Sequence, residues 1–168
     1  SDTELYGLFA KACAKRGWVT FDDLILHPVR LLRTSPTAAV ICRDDYRHFV
    51  VDEFQDVNAG QIELLRLLCP PGGRPDLCVV GDDDQSIYEF RGADDRALAK
   101  FERIWGLRAD ARLPLSENYR SEAPIVGVAN AIMSRAEDRF APEKVVELPR
   151  DRRSKSPAPG SCVECITL

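Results

Sequence analysis

Two clusters of acidic residues have a spacing that could support metal-assisted phosphate chemistry. One apolar run leads directly into Asp52 and Glu53, and a second leads through a glycine into Asp82. Carboxylates gathered in one place repel each other unless a cation lies among them, and Mg²⁺ bound to a nucleotide would suit such ligands. The alternative is that these acids only form turns or cap helices. Each cluster is followed by a glutamine, Gln55 or Gln85, which favours the functional interpretation.

Two short strands are predicted to position these residues. The segments His48–Asp52 and Leu77–Gly81 are apolar, rich in β-branched side chains and separated by a helical pattern, which is typical of buried parallel strands in an open α/β sheet. In such sheets ligands bind beyond the carboxyl ends of the strands. Because parallel strands share that edge, we expect Asp52, Glu53, Asp82 and Gln85 to form one polar pocket.

Helices are predicted around these strands from caps and apolar periodicity. The first predicted helix begins near Ser1–Glu4 and ends at Gly17, the second opens at Thr20–Asp23, and the third starts at the Ser35 cap. The other three run from Asn58 to Leu68, from Ala93 to Trp105, and from Ser121 to Met133. Pro28 predicts a break or kink near His27. Arg112–Leu115 is predicted to be a third strand. Residues 138–160 are rich in proline and charge and are predicted to be an exposed linker or mobile loop, followed by a strand at 162–168.

The composition is that of an ordinary globular protein. The chain has 168 residues, 45% of them hydrophobic and 30% charged, with a formal net charge of −4. No apolar run is long enough to span a bilayer and no signal peptide opens the sequence, so we expect a cytoplasmic protein without a membrane partner. Of the six cysteines, only Cys162 and Cys165 form a C-x-x-C pair, and His27 and His48 stand alone. Reduced, mostly buried thiols are therefore expected, rather than a zinc site.

Three segments carry a resemblance to a known family. Val51–Asp56 (VDEFQD), Gly81–Ala93 (GDDDQSIYEFRGA) and Leu115–Ser121 (LSENYRS) resemble three consecutive motifs of the UvrD/Rep/PcrA-type superfamily 1 DNA helicases, in the family's order and at roughly its spacing. The middle motif is long and therefore highly specific. The resemblance covers most of the chain and weakens after about residue 140. It implies an incomplete α/β fold of the RecA-like P-loop NTPase type, a parallel sheet with flanking helices.

The resemblance also assigns roles in ATP hydrolysis. It implies that Asp52 holds Mg²⁺, that Glu53 is the general base for the attacking water, and that Gln85 contacts the γ-phosphate and reports its presence to the DNA site. It further implies that Tyr119 stacks on the adenine and that Arg120 is the arginine finger. A positioned arginine of this kind is worth about 10³–10⁵ in rate. Outside such a motif, an arginine after a strand is usually a surface residue and a tyrosine a core residue.

The middle motif also contains a candidate DNA-binding platform. Tyr88 and Phe90 lie two residues apart, so they project from one face of an extended segment, and Arg91 follows. Aromatic rings beside an arginine can stack on single-stranded bases, each stack being worth about 1–3 kcal/mol. The alternative is that both rings pack in the core. Where Phe90 stands the family usually has tryptophan, which offers more stacking area. The implied partners are single-stranded DNA and DNA junctions.

The family's phosphate-binding loop does not occur in the sequence. None of the ten glycines is followed by lysine, as a G-x-x-x-x-G-K-[ST] loop requires. The resemblance therefore implies a central piece of a helicase that moves 3′ to 5′ on DNA, with residues 1–110 from the first motor domain and residues 111–168 from the second. We expect the isolated polypeptide neither to hydrolyse ATP nor to unwind DNA. A non-catalytic single-stranded-DNA-binding module and the helicase part of a helicase-nuclease remain alternatives.

Overall fold

The structure is a computed structural model that describes residues 2–73, 76–87, 96–137 and 139–150. Its contacts divide the chain into two compact units. The first unit draws on Ser1–Asp82 and Ser86–Gly106, and the second on Asp83–Gln85 and Leu107–Leu168. The short segment Asp83–Gln85 thus belongs with the C-terminal part of the chain.

The first unit is mainly helical and contains one parallel pair of strands. Its elements are α1 (Asp2–Arg16), α2 (Asp23–Thr34), α3 (Pro36–Asp45), β1 (His48–Val51), a 3₁₀ turn (Phe54–Asp56), α4 (Ala59–Leu68), β2 (Asp76–Val79) and α5 (Ala97–Trp105). Strands β1 and β2 pair in parallel, with Phe49 opposite Leu77 and Val51 opposite Val79. The predicted parallel pair is confirmed, although each strand ends one or two residues earlier than expected. The predicted burial of the two strands is wrong, because exposed and half-buried side chains alternate along both of them. The described residues therefore form a mixed α/β structure with a small sheet.

The core of this unit lies against the chain that follows β1. Phe54 is fully buried and its ring centroid lies 5.2 Å from that of Phe101 in α5. Phe101 in turn lies 4.9 Å from the ring of Trp105, whose indole N–H donates to the carbonyl of Cys69 at 2.8 Å. Aromatic side chains bury large areas and favour such tilted pairs. Phe54 therefore anchors the acidic turn that follows β1.

Three of the predicted helix starts are confirmed by their caps. The side chain of Asn58 accepts from the N–H of Gln61, and the Gln61 side chain accepts from the N–H of Asn58, which is a reciprocal capping box. Thr20 and Asp23 exchange the same pair of bonds before α2. Ser35 accepts from the N–H of Ala38 at the start of α3. These caps satisfy amide groups that a helix start would otherwise leave unpaired.

Three further sequence predictions differ from this structure. The predicted break near His27 is absent, since helix α2 continues through Pro28, and burial of neighbours such as Val29 offsets the loss of one hydrogen bond. The predicted strand Arg112–Leu115 is irregular: Pro114 has no N–H to donate, and Leu113 and Leu115 are each 86% exposed. The described part of the predicted linker is not simply exposed, since it contains buried ion pairs at its start.

The second unit contains the 3₁₀ turns Asp83–Gln85 and Ala109–Ala111, and helix α6 (Ala123–Met133), which begins as predicted with a proline in its first turn. An isolated parallel bridge joins Glu117 to Glu147. The predicted strand at 162–168, with Cys162 and Cys165, lies outside the described residues.

The four described cysteines are free thiols, of which Cys13 and Cys69 are buried, Cys42 is half-buried and Cys78 is exposed. Among the described residues, no helix combines the length and the apolar character needed to cross a membrane.

Candidate functional site

The acidic turn after β1 has an unusual backbone. Glu53 adopts φ 49° and ψ 44°, the left-handed region, and it is the one non-glycine residue with positive φ among those that the structure describes. This conformation costs an ordinary residue roughly 1–2 kcal/mol. The Glu53 N–H donates to Oδ1 of Asp52 at 2.9 Å, and both side chains are exposed. Local strain of this kind clusters at functional sites, and here it leaves two carboxylates open to solvent at the end of the strand.

A buried glutamine joins this turn to the end of β2. Gln55 is only 3% exposed. Its side-chain Nε2 donates to Oε2 of Glu53 at 2.7 Å, and its Oε1 accepts from the N–H of Asp82 at 3.0 Å. The structure thus brings Glu53 and Asp82 to the same edge of the sheet through one amide. In the sequence Gln55 stands out only because it follows an acidic cluster, and no local pattern indicates this role.

Gly81 leaves room for this amide. A Cβ atom at position 81 would lie 3.0 Å from Oε1 of Gln55 and 3.3 Å from the backbone nitrogen of the same residue. Two backbone hydrogen bonds also connect the ends of the two strands. The Val80 N–H donates to the carbonyl of Val51 at 2.8 Å, and the Phe54 N–H donates to the carbonyl of Val80 at 2.9 Å. A side chain larger than hydrogen at position 81 would therefore displace Gln55.

The second unit contains an open pocket of about 590 Å³. It is lined by Gln85, Glu117, Asn118, Tyr119, Arg120 and Ser121. Its loop is shaped by Asn118, whose Oδ1 accepts from the N–H groups of Arg120 at 2.9 Å and Ser121 at 2.7 Å. Tyr119 is 65% exposed, and its hydroxyl donates to Oε2 of Glu117 at 2.6 Å. The pocket thus combines an exposed aromatic ring, an exposed arginine and an amide on one open surface.

The predicted site residues fall into two groups. Asp52, Glu53 and Asp82 belong to the first unit, whereas Gln85 belongs to the second, where it shares the pocket with Tyr119 and Arg120. A single pocket containing all four of Asp52, Glu53, Asp82 and Gln85 therefore stays a prediction. The candidate DNA-binding residues Tyr88, Phe90 and Arg91 lie outside the described residues.

The donor chemistry at the end of β1 fits a magnesium ion. Mg²⁺ prefers carboxylate oxygens together with water and phosphate oxygens, and Asp52 presents an exposed carboxylate there. Asp83 and Asp84 are less suited, because their carboxylates contact Lys144, and Asp84 also contacts Arg139. Asp52 could therefore hold the ion.

The sequence pattern of one protein family, the UvrD/REP helicase N-terminal domain, matches residues 2–104. The chain belongs to this family. The match includes the acidic turn, Gln55 and the end of β2, and it ends within α5. The family resemblance inferred from the three motifs is confirmed.

Several relatives are similar over most of the chain. The chain is 44% identical over 124 residues to the ATP-dependent DNA helicase UvrD1 of Mycobacterium bovis, a match covering 68% of this chain and 15% of the relative. It is 39% identical over 139 residues to UvrD1 of Mycobacterium leprae, covering 78% of this chain and 18% of the relative. It is 33% identical over 137 residues to DNA helicase II of Haemophilus influenzae, covering 82% of this chain and 18% of the relative. The chain thus spans less than a fifth of the length of these relatives.

Proposed function

We propose that this chain is part of an ATP-dependent DNA helicase that couples ATP hydrolysis to 3′-to-5′ movement on single-stranded DNA and to duplex unwinding. The observation that carries the proposal is the shared edge of β1 and β2, where Gln55 joins Glu53 to the backbone of Asp82. Membership of the UvrD/REP family and relatives that are named ATP-dependent DNA helicases support it. In this proposal, residues 1–110 come from the first RecA-like motor domain of the helicase and residues 111–168 come from the second.

At the end of β1, the proposed chemistry is activation of water. Asp52 would hold Mg²⁺, which supplies positive charge to the phosphates when it is bound. Glu53 accepts the proton of the attacking water, and its carboxylate is held by the Gln55 amide at 2.7 Å. A base must lie within hydrogen-bond reach of the proton it removes, so fixing its carboxylate by a buried neighbour contributes to rate through positioning.

In the second unit, the proposed chemistry is recognition of the nucleotide. The exposed ring of Tyr119 offers a face on which an adenine can stack, and Arg120 supplies charge for the γ-phosphoryl oxygens. Gln85 lines the same pocket, where it would contact the γ-phosphate. Tyr88, Phe90 and Arg91 form the proposed platform for single-stranded DNA and DNA junctions, a role that rests on sequence alone.

The base assignment is tested in the full-length protein that contains this chain. Glu53→Gln is expected to retain Mg-ATP binding, measured by calorimetry, while DNA-stimulated ATP hydrolysis falls to background. Glu137→Gln is the matched control, since it makes the same substitution at an exposed residue away from the motifs. Unchanged turnover in Glu53→Gln would mean that another residue is the base.

The DNA platform is tested with labelled oligo-dT and the Phe90→Ala variant of the same protein. Loss of one stacking contact is expected to weaken binding by about 1–3 kcal/mol. Equal affinities would remove Phe90 from the site. The isolated 168-residue chain is expected to show no DNA-stimulated ATPase activity, and a rate above background would contradict the assignment of this chain as an incomplete motor.

A further inference from the structure

One segment of the second unit, Arg139–Glu147, contacts both the turn before Gln85 and the loop of Asn118, two parts of the pocket lining. Its beginning is bonded to Asp83 and Asp84, which immediately precede the pocket residue Gln85. Its end accepts a hydrogen bond from the backbone N–H of Asn118, which also lines the pocket. The composition of this stretch, rich in proline and charge, predicts a linker and no functional role. Its contacts suggest a role in pocket geometry.

The first connection is a buried ion pair at Asp84. The Arg139 guanidinium donates Nε to Oδ1 of Asp84 at 2.9 Å and Nη2 to Oδ2 at 2.7 Å, and the ammonium of Lys144 lies 2.7 Å from Oδ2. The side chains of Arg139 and Asp84 are only 8% and 10% exposed. Bidentate arginine–carboxylate pairs fix both distance and orientation. Arg139 also donates to the carbonyls of Pro142 and Lys144, which folds the segment around the guanidinium.

A second connection is made by Asp83. Its Oδ2 accepts from the backbone N–H of Phe140 at 2.7 Å, and its Oδ1 lies 3.6 Å from the ammonium of Lys144. The ring of Phe140 is covered by the Arg112 guanidinium, whose carbon lies 4.3 Å from the ring centroid. A cation over an aromatic face in this range is attractive. Both residues before Gln85 are thus held by the same segment.

The far end of the segment is bonded to the Asn118 loop. The Asn118 N–H donates to the carbonyl of Glu147 at 2.7 Å, and the Glu147 N–H donates to Ser116 at 2.8 Å. Next to it, Val146 is bonded to Asn130 of α6 in both directions, at 2.8 Å and 3.1 Å. The segment therefore connects the Gln85 turn, the Asn118 loop and α6.

We propose that Arg139–Glu147 is the positioning element that fixes Gln85 relative to the loop of Tyr119 and Arg120, with Asp84 as the residue through which it acts. The proposal rests on the proposed function where it concerns ATP, but its structural part does not. The Arg139 hydrogen bond also holds the pKa of Asp84 below its usual value, against the opposing effect of burial, and Lys144 acts in the same direction as Arg139. Asp84 therefore remains ionised and bonded at neutral pH.

The structural part is tested by hydrogen exchange in the 168-residue chain. In Asp84→Ala, exchange at the Phe140 amide is expected to accelerate by about 100-fold, as when one partner of a buried ion pair is removed. Exchange at the Val146 amide, which is bonded to Asn130, is expected to stay unchanged. Arg139→Lys keeps the charge but loses the bidentate geometry, so it is expected to give a smaller acceleration at the Phe140 amide. Arg135→Lys makes the same substitution at an exposed arginine and is expected to give no acceleration. If Asp84→Ala does not fold, Arg139→Lys decides. Wild-type exchange at Phe140 in Arg139→Lys would overturn the proposal.

The functional part is tested by steady-state ATPase kinetics in the full-length protein. Asp84→Ala is expected to lower kcat by about ten- to a hundredfold, the cost of misplacing a group at a reacting centre. If Asp84 acts through Gln85, the double variant Asp84→Ala/Gln85→Ala is no slower than Gln85→Ala alone. If the reductions in kcat from the two substitutions multiply in the double variant, Asp84 has a general structural role and the proposal is overturned. A wild-type protein without ATPase activity would instead refute the proposed function, and hydrogen exchange would still decide whether this segment holds the Gln85 turn.

Discussion

Replacement of Gln55 gives a direct measure of the link between the two strand ends. The side chain is 3% exposed and makes two hydrogen bonds, one to the Glu53 carboxylate and one from the Asp82 N–H. Gln55→Met keeps a similar length but removes both bonds. The bond to a charged partner is worth about 1.5 kcal/mol here, the lower end of its range because Glu53 is exposed, and the second bond about 1 kcal/mol. After allowance for the more apolar side chain, we expect a loss of about 2 kcal/mol in the free energy of unfolding.

Gln55→Glu tests the orientation of the amide. The variant retains an acceptor for the Asp82 N–H but replaces the donor with a second carboxylate facing Glu53. Repulsion between the two carboxylates adds about 1–2 kcal/mol at the partly solvated distances of this edge. We therefore expect a loss of about 3 kcal/mol at pH 7. The introduced carboxyl group has a raised pKa in the folded state, so the extra loss should disappear as the pH falls towards about 4.

The assay is urea unfolding of the 168-residue chain, followed by far-UV circular dichroism at pH 7 and pH 4. Gln61→Glu is the matched control. It makes the same change of charge, retains the acceptor for the Asn58 N–H, and places an acid in the first turn of α4, so its effect should be close to zero or stabilising. A Gln55→Glu variant as stable as wild type at pH 7 would refute the assigned orientation and the role of Gln55 as a donor to Glu53.

Three further predictions concern stability and accessibility. The buried guanidinium contact holds the pKa of Asp84 below its usual value. The stabilisation from this contact is therefore complete above the pKa of an unfolded aspartate, about 3.9, and is lost as the pH falls through the lower pKa of the folded state. Acid unfolding of Asp84→Asn should show a weaker pH dependence in that range than the wild type. Burial raises the pKa of Cys69 to about 11, so peptide mapping after iodoacetamide treatment should show that, of the four described cysteines, Cys78 is labelled first and Cys69 is protected until urea is added. Gly106→Ala should cost about 1 kcal/mol because Gly106 has φ 65°, whereas Gly7→Ala inside α1 should stabilise by about 0.5–1 kcal/mol; equal effects in urea unfolding would contradict this contrast.

Short-range sequence patterns predicted the helices and strands of the first unit well, because several of its helices begin at side chains that bond to the backbone only a few residues away. The Asn58–Gln61 capping box and the Ser35 cap are encoded by residues three apart, so their geometry follows from sequence alone. The parallel pairing of β1 and β2 followed from two apolar runs with a helical pattern between them. The predicted strand Arg112–Leu115 failed because a strand needs a partner, and apolar character cannot reveal that none lies beside it among the described residues.

The supporting residues of the site could not be predicted in the same way. Asp84 and Arg139 are 55 positions apart in sequence. Aspartate and arginine are usually exposed, so the residue types alone do not reveal that these two are buried and paired. A stretch rich in proline and charge predicts a linker, and only folding places Arg139 and Lys144 around one carboxylate. Gln55 was visible in sequence as part of a motif, but its two bonds depend on the register of β1 and β2, which the motif does not state.

The distribution of burial explains why these motifs occur as blocks rather than as isolated reactive residues. Glu53, Gln85 and Arg120, the residues proposed to meet ATP, are exposed, as groups that contact a ligand must be. An exposed side chain is not held by packing, so its position has to come from a buried neighbour that is itself fixed. Gln55 does this for Glu53 through a hydrogen bond, and Asp84 does it for Gln85 through the adjacent backbone. Substitution of either supporting residue should therefore lower turnover without removing any group that touches the nucleotide.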